Sequence, residues 1–117
     1  MERHRIREGF AGQRLSVLPP AVQLLCRKLP VVRQLHATDL GHFPSAPGHY
    51  VQRPKGRPEE ILIYCSSGAG WCRMGGRRWA VAEGDALIIP SGTPHTYGAD
   101  IRSPWAIYWV HFAGRRA

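Results

Sequence analysis

Residues 84–97 read Gly84-Asp85-Ala86-Leu87-Ile88-Ile89-Pro90-Ser91-Gly92-Thr93-Pro94-His95-Thr96-Tyr97, and the fold turns on how this stretch is read. Gly84-Asp85 suits a turn entered at positive φ. Residues 86–89 form a four-residue apolar run, the length of a short strand buried on both faces. Pro90, Gly92 and Pro94 then end the ladder and turn the chain. His95 and Tyr97 stand two apart, so on a strand beginning there they share a face.

The same punctuation extends outward. Residues 77–82 read as a strand, Gly75-Gly76 as a turn, and residues 71–74 as the strand before it. Residues 61–65 are strongly β-prone, and Ser66-Ser67-Gly68-Ala69-Gly70 reads as a hairpin connection. Residues 55–59 make another turn, ahead of which His49, Val51 and Arg53 alternate along a short strand ended by Pro54. Residues 41–48, with two Pro and two Gly, read as a loop, and residues 31–40 as the first strand. Residues 21–29 lie between Pro20 and Pro30 and carry Val22, Leu24, Leu25 and Leu29, a pattern suited to a short helical turn. Residues 1–20 are basic and irregular, an expected flexible arm. Beyond the opening stretch, residues 99–104 are a loop and residues 105–112 the last strand, with Trp105, Ile107, Trp109 and His111 on one face.

Six to eight short strands with Gly or Pro between them, and no internal repeat, predict an all-β fold: a jelly-roll barrel with an N-terminal arm and at most short helical turns. The expected division is residues 1–30 as arm and irregular segment and residues 31–117 as barrel. A chain of 117 residues is long enough for one core and too short for two. No run approaches the length of a membrane span, and no basic-then-apolar segment opens the chain, so a cytoplasmic protein without a membrane partner is expected. Cys26, Cys65 and Cys72 make an odd count without a C-x-x-C pair, which argues against a disulfide scaffold and a structural zinc site. Cys65 and Cys72 flank the expected hairpin and are candidates for cross-strand neighbours that stay reduced. The net charge of +8 raises nucleic-acid binding as a third reading, but the basic residues are scattered and no recognition-helix pattern accompanies them.

The order Gly84, five residues, Pro90, one residue, Gly92, two residues, His95 resembles the second conserved motif of the cupin barrels, whose histidine points into the barrel. Taken with Arg53-Pro54 and Gly56, Gly68-Ala69-Gly70, Pro94-His95-x-Tyr97-Gly98, and Pro104-Trp105 through Trp109-x-His111-Phe112, the chain resembles the N-terminal ligand-sensing domain of the AraC family of bacterial transcription regulators. The resemblance covers residues 50–114 well and residues 1–45 loosely. It implies a barrel that binds a small polar effector, a sugar or sugar acid foremost, and relays occupancy to helix-turn-helix units that contact DNA. Those units have no counterpart in this sequence, so DNA is a partner only through them, and a homodimer is the assembly considered.

By the same resemblance, the arginine, tyrosine and tryptophan that contact the sugar in the arabinose-sensing member fall on Arg53, Tyr97 and Trp109. A further sugar-contacting histidine of that member falls on Ile107, which argues against arabinose itself. These residue types suit a polyol: Arg offers a fork of donors to hydroxyls or a carboxylate, Trp stacks on C–H faces, and Tyr adds a ring and a hydroxyl. Trp109 taken alone is better explained by the core and Tyr97 equally well by core or ligand, whereas an inward Arg53 needs a pair or a ligand. His49, His95, Ile107 and His111 complete the candidate ligand-binding set. The alternative is a small metal-dependent cupin enzyme, an isomerase or oxygenase, using His49, His95 and His111. Such enzymes also carry a His-x-His pair, which this sequence lacks, so no metal, cofactor or catalytic residue is expected.

Overall fold

The computed structural model describes residues 5–29 and 34–114. Among the described residues nine strands and one helix follow in the order β1 (Arg14–Val17), α1 (Pro20–Lys28), β2 (His36–Phe43), β3 (Tyr50–Arg53), β4 (Glu60–Ser67), β5 (Ala69–Met74), β6 (Arg77–Ala82), β7 (Ala86–Ile89), β8 (His95–Ala99) and β9 (Ala106–Ala113). They build two antiparallel sheets, one ordered β1-β2-β9-β4-β7 and the other β3-β8-β5-β6. The alternation of apolar residues sets the inner faces. Ile61, Ile63 and Cys65 of β4, and Trp105 with Ile107 of β9 and the residue before it, meet Val51, Cys72, Val81 and Tyr97 of the facing sheet in one buried cluster. This is the expected all-β jelly-roll architecture, with one short helix.

Several boundaries differ from those read in the sequence. Residues 31–33 of the expected first strand lie outside the described residues, and the strand itself runs through Phe43, into the segment read as a loop. Gly41 belongs to that strand because Trp109 of β9 covers it: a Cβ there would stand 2.6 Å from two carbons of the indole. The stretch read as an irregular arm is tied down at three places. Arg14–Val17 pairs with β2, Phe10 is buried against Phe43 at a ring separation of 4.9 Å, and Ile6 exchanges backbone hydrogen bonds with Gly48 and Tyr50.

The segment around Gly68 is not a hairpin. β4 pairs with β7 and β9, whereas β5 pairs with β6 and β8, so Gly68 carries the chain from one sheet to the other. Its φ of +69° is open to glycine, and a Cβ would meet the Pro104 carbonyl oxygen at 2.3 Å. Cys65 and Cys72 therefore are not cross-strand neighbours. Cys65 lies opposite Ile107 and Cys72 opposite Trp79 and Tyr97, and both are free buried thiols. Along β7 only Leu87 and Ile89 are buried while Ala86 and Ile88 face outward beside the exposed Tyr64 of β4; the expectation of burial on both faces fails because only the inner face of this sheet is covered.

The outer face of the β3-β8-β5-β6 sheet carries cations on aromatic rings. Trp71 lies over Gly98 beside Tyr50, with Arg5 above the Tyr50 ring at 3.9 Å and Arg78 and Arg73 above Trp71 at 5.0 and 5.8 Å. Arg73 and Arg78 are direct cross-strand partners, a like-charge pairing that costs stability unless an anion or a ring offsets it.

Candidate functional site

Between the two sheets lies a cavity of about 270 Å³. Asp39, Phe43, Trp109 and His111 line it from β2 and β9; Val51, Arg53 and Tyr97 line it from β3 and β8; His49, Arg57, Arg7 and Glu8 complete the wall from loops and the N-terminal segment. Five of the seven residues singled out in the sequence thus face one space: Arg53, Tyr97, Trp109, His49 and His111. His95 stands behind Arg53 and hydrogen-bonds to it, while Ile107 is in the core at 1% exposure and does not line the cavity.

Register explains the four-stranded wall. Arg53 is paired with His95, and Val51 with Tyr97, so all four side chains point to one face. The Arg53 Nη1 lies 2.9 Å from His95 Nε2 and donates 3.3 Å to the Tyr97 hydroxyl. His95 Nδ1 is 2.8 Å from the Thr93 carbonyl, which can only accept, so the proton sits on Nδ1 and Nε2 is free to accept from Arg53. Burial, and the positive charge of Arg53 with His111, lower the His95 pKa against that carbonyl bond, consistent with a neutral ring.

His49 holds the base of the site. Its Nδ1 accepts the indole N–H of Trp105 at 3.0 Å, and Phe10, Phe43, Tyr97 and Trp105 surround its ring. Desolvation, with the charge of Arg53 second, brings its pKa down to about 4, so it is neutral at physiological pH.

The facing wall is built differently. Asp39 follows a bulge in β2 and sits opposite His111 of β9, whose Nδ1–H donates to it at 2.9 Å. The Thr38 hydroxyl lies 2.9 Å from the Asp39 carboxylate and 3.2 Å from the His111 carbonyl, two acceptors for one proton. Arg57 approaches Asp39 at 3.5 Å and Glu59 at 2.7 Å. Burial pushes the Asp39 carboxyl up, but the His111 bond and charge, Thr38 and Arg57 together hold it below its ordinary value. Trp109 lies flush over Gly41, its ring 4.9 Å from His111 and 5.8 Å from Phe43. Its indole nitrogen is buried without a hydrogen-bond partner.

Asp39, Arg57, Arg7 and Glu8 were missed in the sequence. Nothing local marks them: Asp39 is defined by a cross-strand partner far along the chain, and Arg7 and Glu8 by a segment that folds back. A three-histidine metal centre does not fit these residues. Arg53 occupies the open nitrogen of His95, His49 accepts at Nδ1 and so carries its proton on Nε2, and no three of His, Cys, Asp and Glu among the described residues come together at metal-holding spacing.

Among solved structures the chain is similar to a Cupin 2 conserved barrel domain protein from Salinispora arenicola, with a TM-score of 0.53, 18% identity, and coverage of 86% of this chain and 75% of that one. A cupin-like protein from Thermotoga maritima gives 0.52 and 15% identity, over 98% of this chain and 80% of that one. At such identities the likeness speaks for the fold alone. In sequence, the chain is 41% identical over 109 residues to the MmsAB operon regulatory protein of Pseudomonas aeruginosa, which takes in 87% of this chain and 35% of that protein. The chain spans about a third of that relative's length. The family profile of the AraC-like ligand-binding domain matches residues 38–117, so the chain belongs to the AraC-like ligand-binding domain family.

Proposed function

We propose that the cavity between the sheets is an effector site for a small polar molecule, a sugar or sugar acid, and that the domain senses rather than catalyses. The observation that carries this is the convergence of the Arg53 guanidinium, the Tyr97 hydroxyl and the Trp109 indole on one space of small-molecule size. Arg53 and Tyr97 supply donors, Asp39 an acceptor, and Trp109 a flat apolar face, a combination that suits hydroxyls alternating with C–H groups. Burial, with the charge of Arg53, holds His49 and His95 neutral, which suits shaping a pocket better than proton transfer.

Occupancy then biases a DNA-binding domain elsewhere in a cytoplasmic regulator, through a coupling free energy of about 1–3 kcal/mol. A role for residues 5–17 in this is supported by Arg7 and Glu8 lining the cavity while Ile6 and Arg14–Val17 join the sheets. In this reading residues 1–30 are the responding segment, residues 31–117 the sensor, and a homodimer the responding assembly.

A thermal-shift screen of this chain against sugars, polyols and sugar acids tests the reading. A true effector at 100 times its dissociation constant adds about 2.7 kcal/mol, and the gain should vanish in Arg53→Ala. A panel that leaves the melting temperature unchanged, or a gain indifferent to both Arg53→Ala and Tyr97→Phe, counts against it.

A further inference from the structure

Resting on the effector reading above, we infer that the ligand of this cavity is a small hydroxylated carboxylate, its carboxylate seated on Arg53 and a hydroxyl turned to the Asp39–His111 wall. The two sheets present opposite chemistry. On the five-stranded side, the cationic Arg57 is already engaged by carboxylates. Asp39 is paired with His111 at 2.9 Å and approached by Arg57 at 3.5 Å, and Arg57 also meets Glu59 at 2.7 Å. That wall offers an acceptor to a ligand hydroxyl but no surplus positive charge.

On the four-stranded side, the charge is not balanced. Arg53 is only partly exposed, and its partners are the His95 ring at 2.9 Å and the Tyr97 hydroxyl at 3.3 Å. No carboxylate among the described residues forms an ion pair with it, Glu8 of the cavity lining included. Guanidinium cannot shed its proton to relieve this, and Nη1 alone accounts for both of its protein bonds, so most of its five N–H donors remain for a ligand. Its imidazole neighbours have instead yielded: His49 and His95 are both depressed, with Arg53 among the causes. A neutral sugar entering this space would strip water from Arg53 without supplying a countercharge. A carboxylate supplies one and matches the guanidinium fork in a bidentate pair. The volume of about 270 Å³ favours a ligand at the small end of those that proteins enclose.

Paired probes differing in the carboxylate test this: D-gluconate against D-glucose, and D-glycerate against glycerol, by titration calorimetry and thermal shift on this chain. We expect at least one acid to bind and its neutral counterpart to bind roughly tenfold or more weakly. Arg53→Gln should weaken the acid by roughly 10- to 100-fold. Its melting temperature without probe reports whether it folds, and Arg53→Lys, which keeps the charge without the fork, should fall between. Arg73→Gln with Arg78→Gln removes the outer-face cations and should leave acid binding unchanged.

If the neutral probes bind as well as the acids and depend on Arg53, the carboxylate inference fails while the effector site stands. If the acids bind but Arg53→Gln leaves them unaffected, or the outer-face variant abolishes binding, the anion sits elsewhere and the inference fails. If no probe binds, both readings fail.

Discussion

The indole N–H of Trp105 donates to Nδ1 of His49 across 3.0 Å, and both side chains are buried. One residue immediately precedes β9 and the other immediately precedes β3 of the facing sheet, so this bond ties the two sheets together beneath the cavity. It also fixes the tautomer: with Nδ1 accepting, the neutral ring carries its proton on Nε2. Removing either partner leaves a buried polar atom unmatched. Trp105→Phe should therefore destabilise the fold by roughly 1–3 kcal/mol beyond the loss of packing, as read by urea denaturation. A cost no larger than that of an ordinary core substitution would show the bond to be dispensable.

Stability should fall as the solution is acidified from neutrality. His49 titrates near 6.5 when unfolded and near 4 when folded, so between those values the unfolded chain binds more protons and is favoured. Its contribution is fully present above about 6.5 and is lost on the way down to about 4, on the order of 3 kcal/mol in all. His95 acts in the same direction. Asp39, held below its ordinary 3.8, adds a separate loss as the pH drops below that value. Urea denaturation at pH 7 and pH 5 measures the slope, and His49→Gln should flatten it.

Gly70→Ala is expected to be severe for a residue so small. A Cβ at position 70 would stand 2.0 Å from the Trp105 ring, which is fully buried and has nowhere to move. Overpacking of this kind costs about 1–3 kcal/mol and occasionally more. Gly75→Ala meets nothing within 4 Å, so it isolates the cost of a positive φ of 58° alone. Thermal melts of the two variants should place Gly70→Ala well below Gly75→Ala; equal melting temperatures would contradict the packing described.

Native-state thiol titration should distinguish the cysteines. Cys65 and Cys72 are 0% exposed, and burial raises both thiols, Cys72 to about 11. Thiolate is the reactive form, so neither should react with a disulfide reagent at pH 8 until the chain unfolds. Rapid labelling of either residue in the native protein would show that the core opens.

This chain alone should show no sequence preference among DNA duplexes. Its exposed arginines on Trp71 and Tyr50 lie on a sheet face, and α1 carries basic residues only in its last turn. Any affinity should be weak and fall steeply with salt, as expected of phosphate contacts without base contacts. Tight, sequence-dependent binding at 150 mM salt would refute this.

How much was legible follows from how local each feature is. The stretch from Gly84 to Tyr97 was readable because turn chemistry and a strand's two-residue period are written in adjacent residues. The same period put His95 with Tyr97, and Trp105 with His111, on their correct faces. The role of Gly68 was not readable, since a hairpin and a passage between sheets use the same glycine-rich turn, and only the partners of β5 tell them apart. Asp39 was hidden for a similar reason: a bulge beside Thr38 and a partner at His111 define it. Arg7 and Glu8 looked like loose arm because nothing in their own neighbourhood reveals that Phe10 and Ile6 are anchored.

The bare Cα of Gly41 has a consequence for what the cavity can hold. Because no side chain stands there, the Trp109 ring can sink until a Cβ at position 41 would be only 2.6 Å from it. An alanine in its place would lift the indole into the lumen and narrow the room left for a guest. The depth of the chamber is thus governed from behind the ring, by a residue absent from its lining, and relatives that differ at this one position would be tuned to guests of different size without altering any group that meets them.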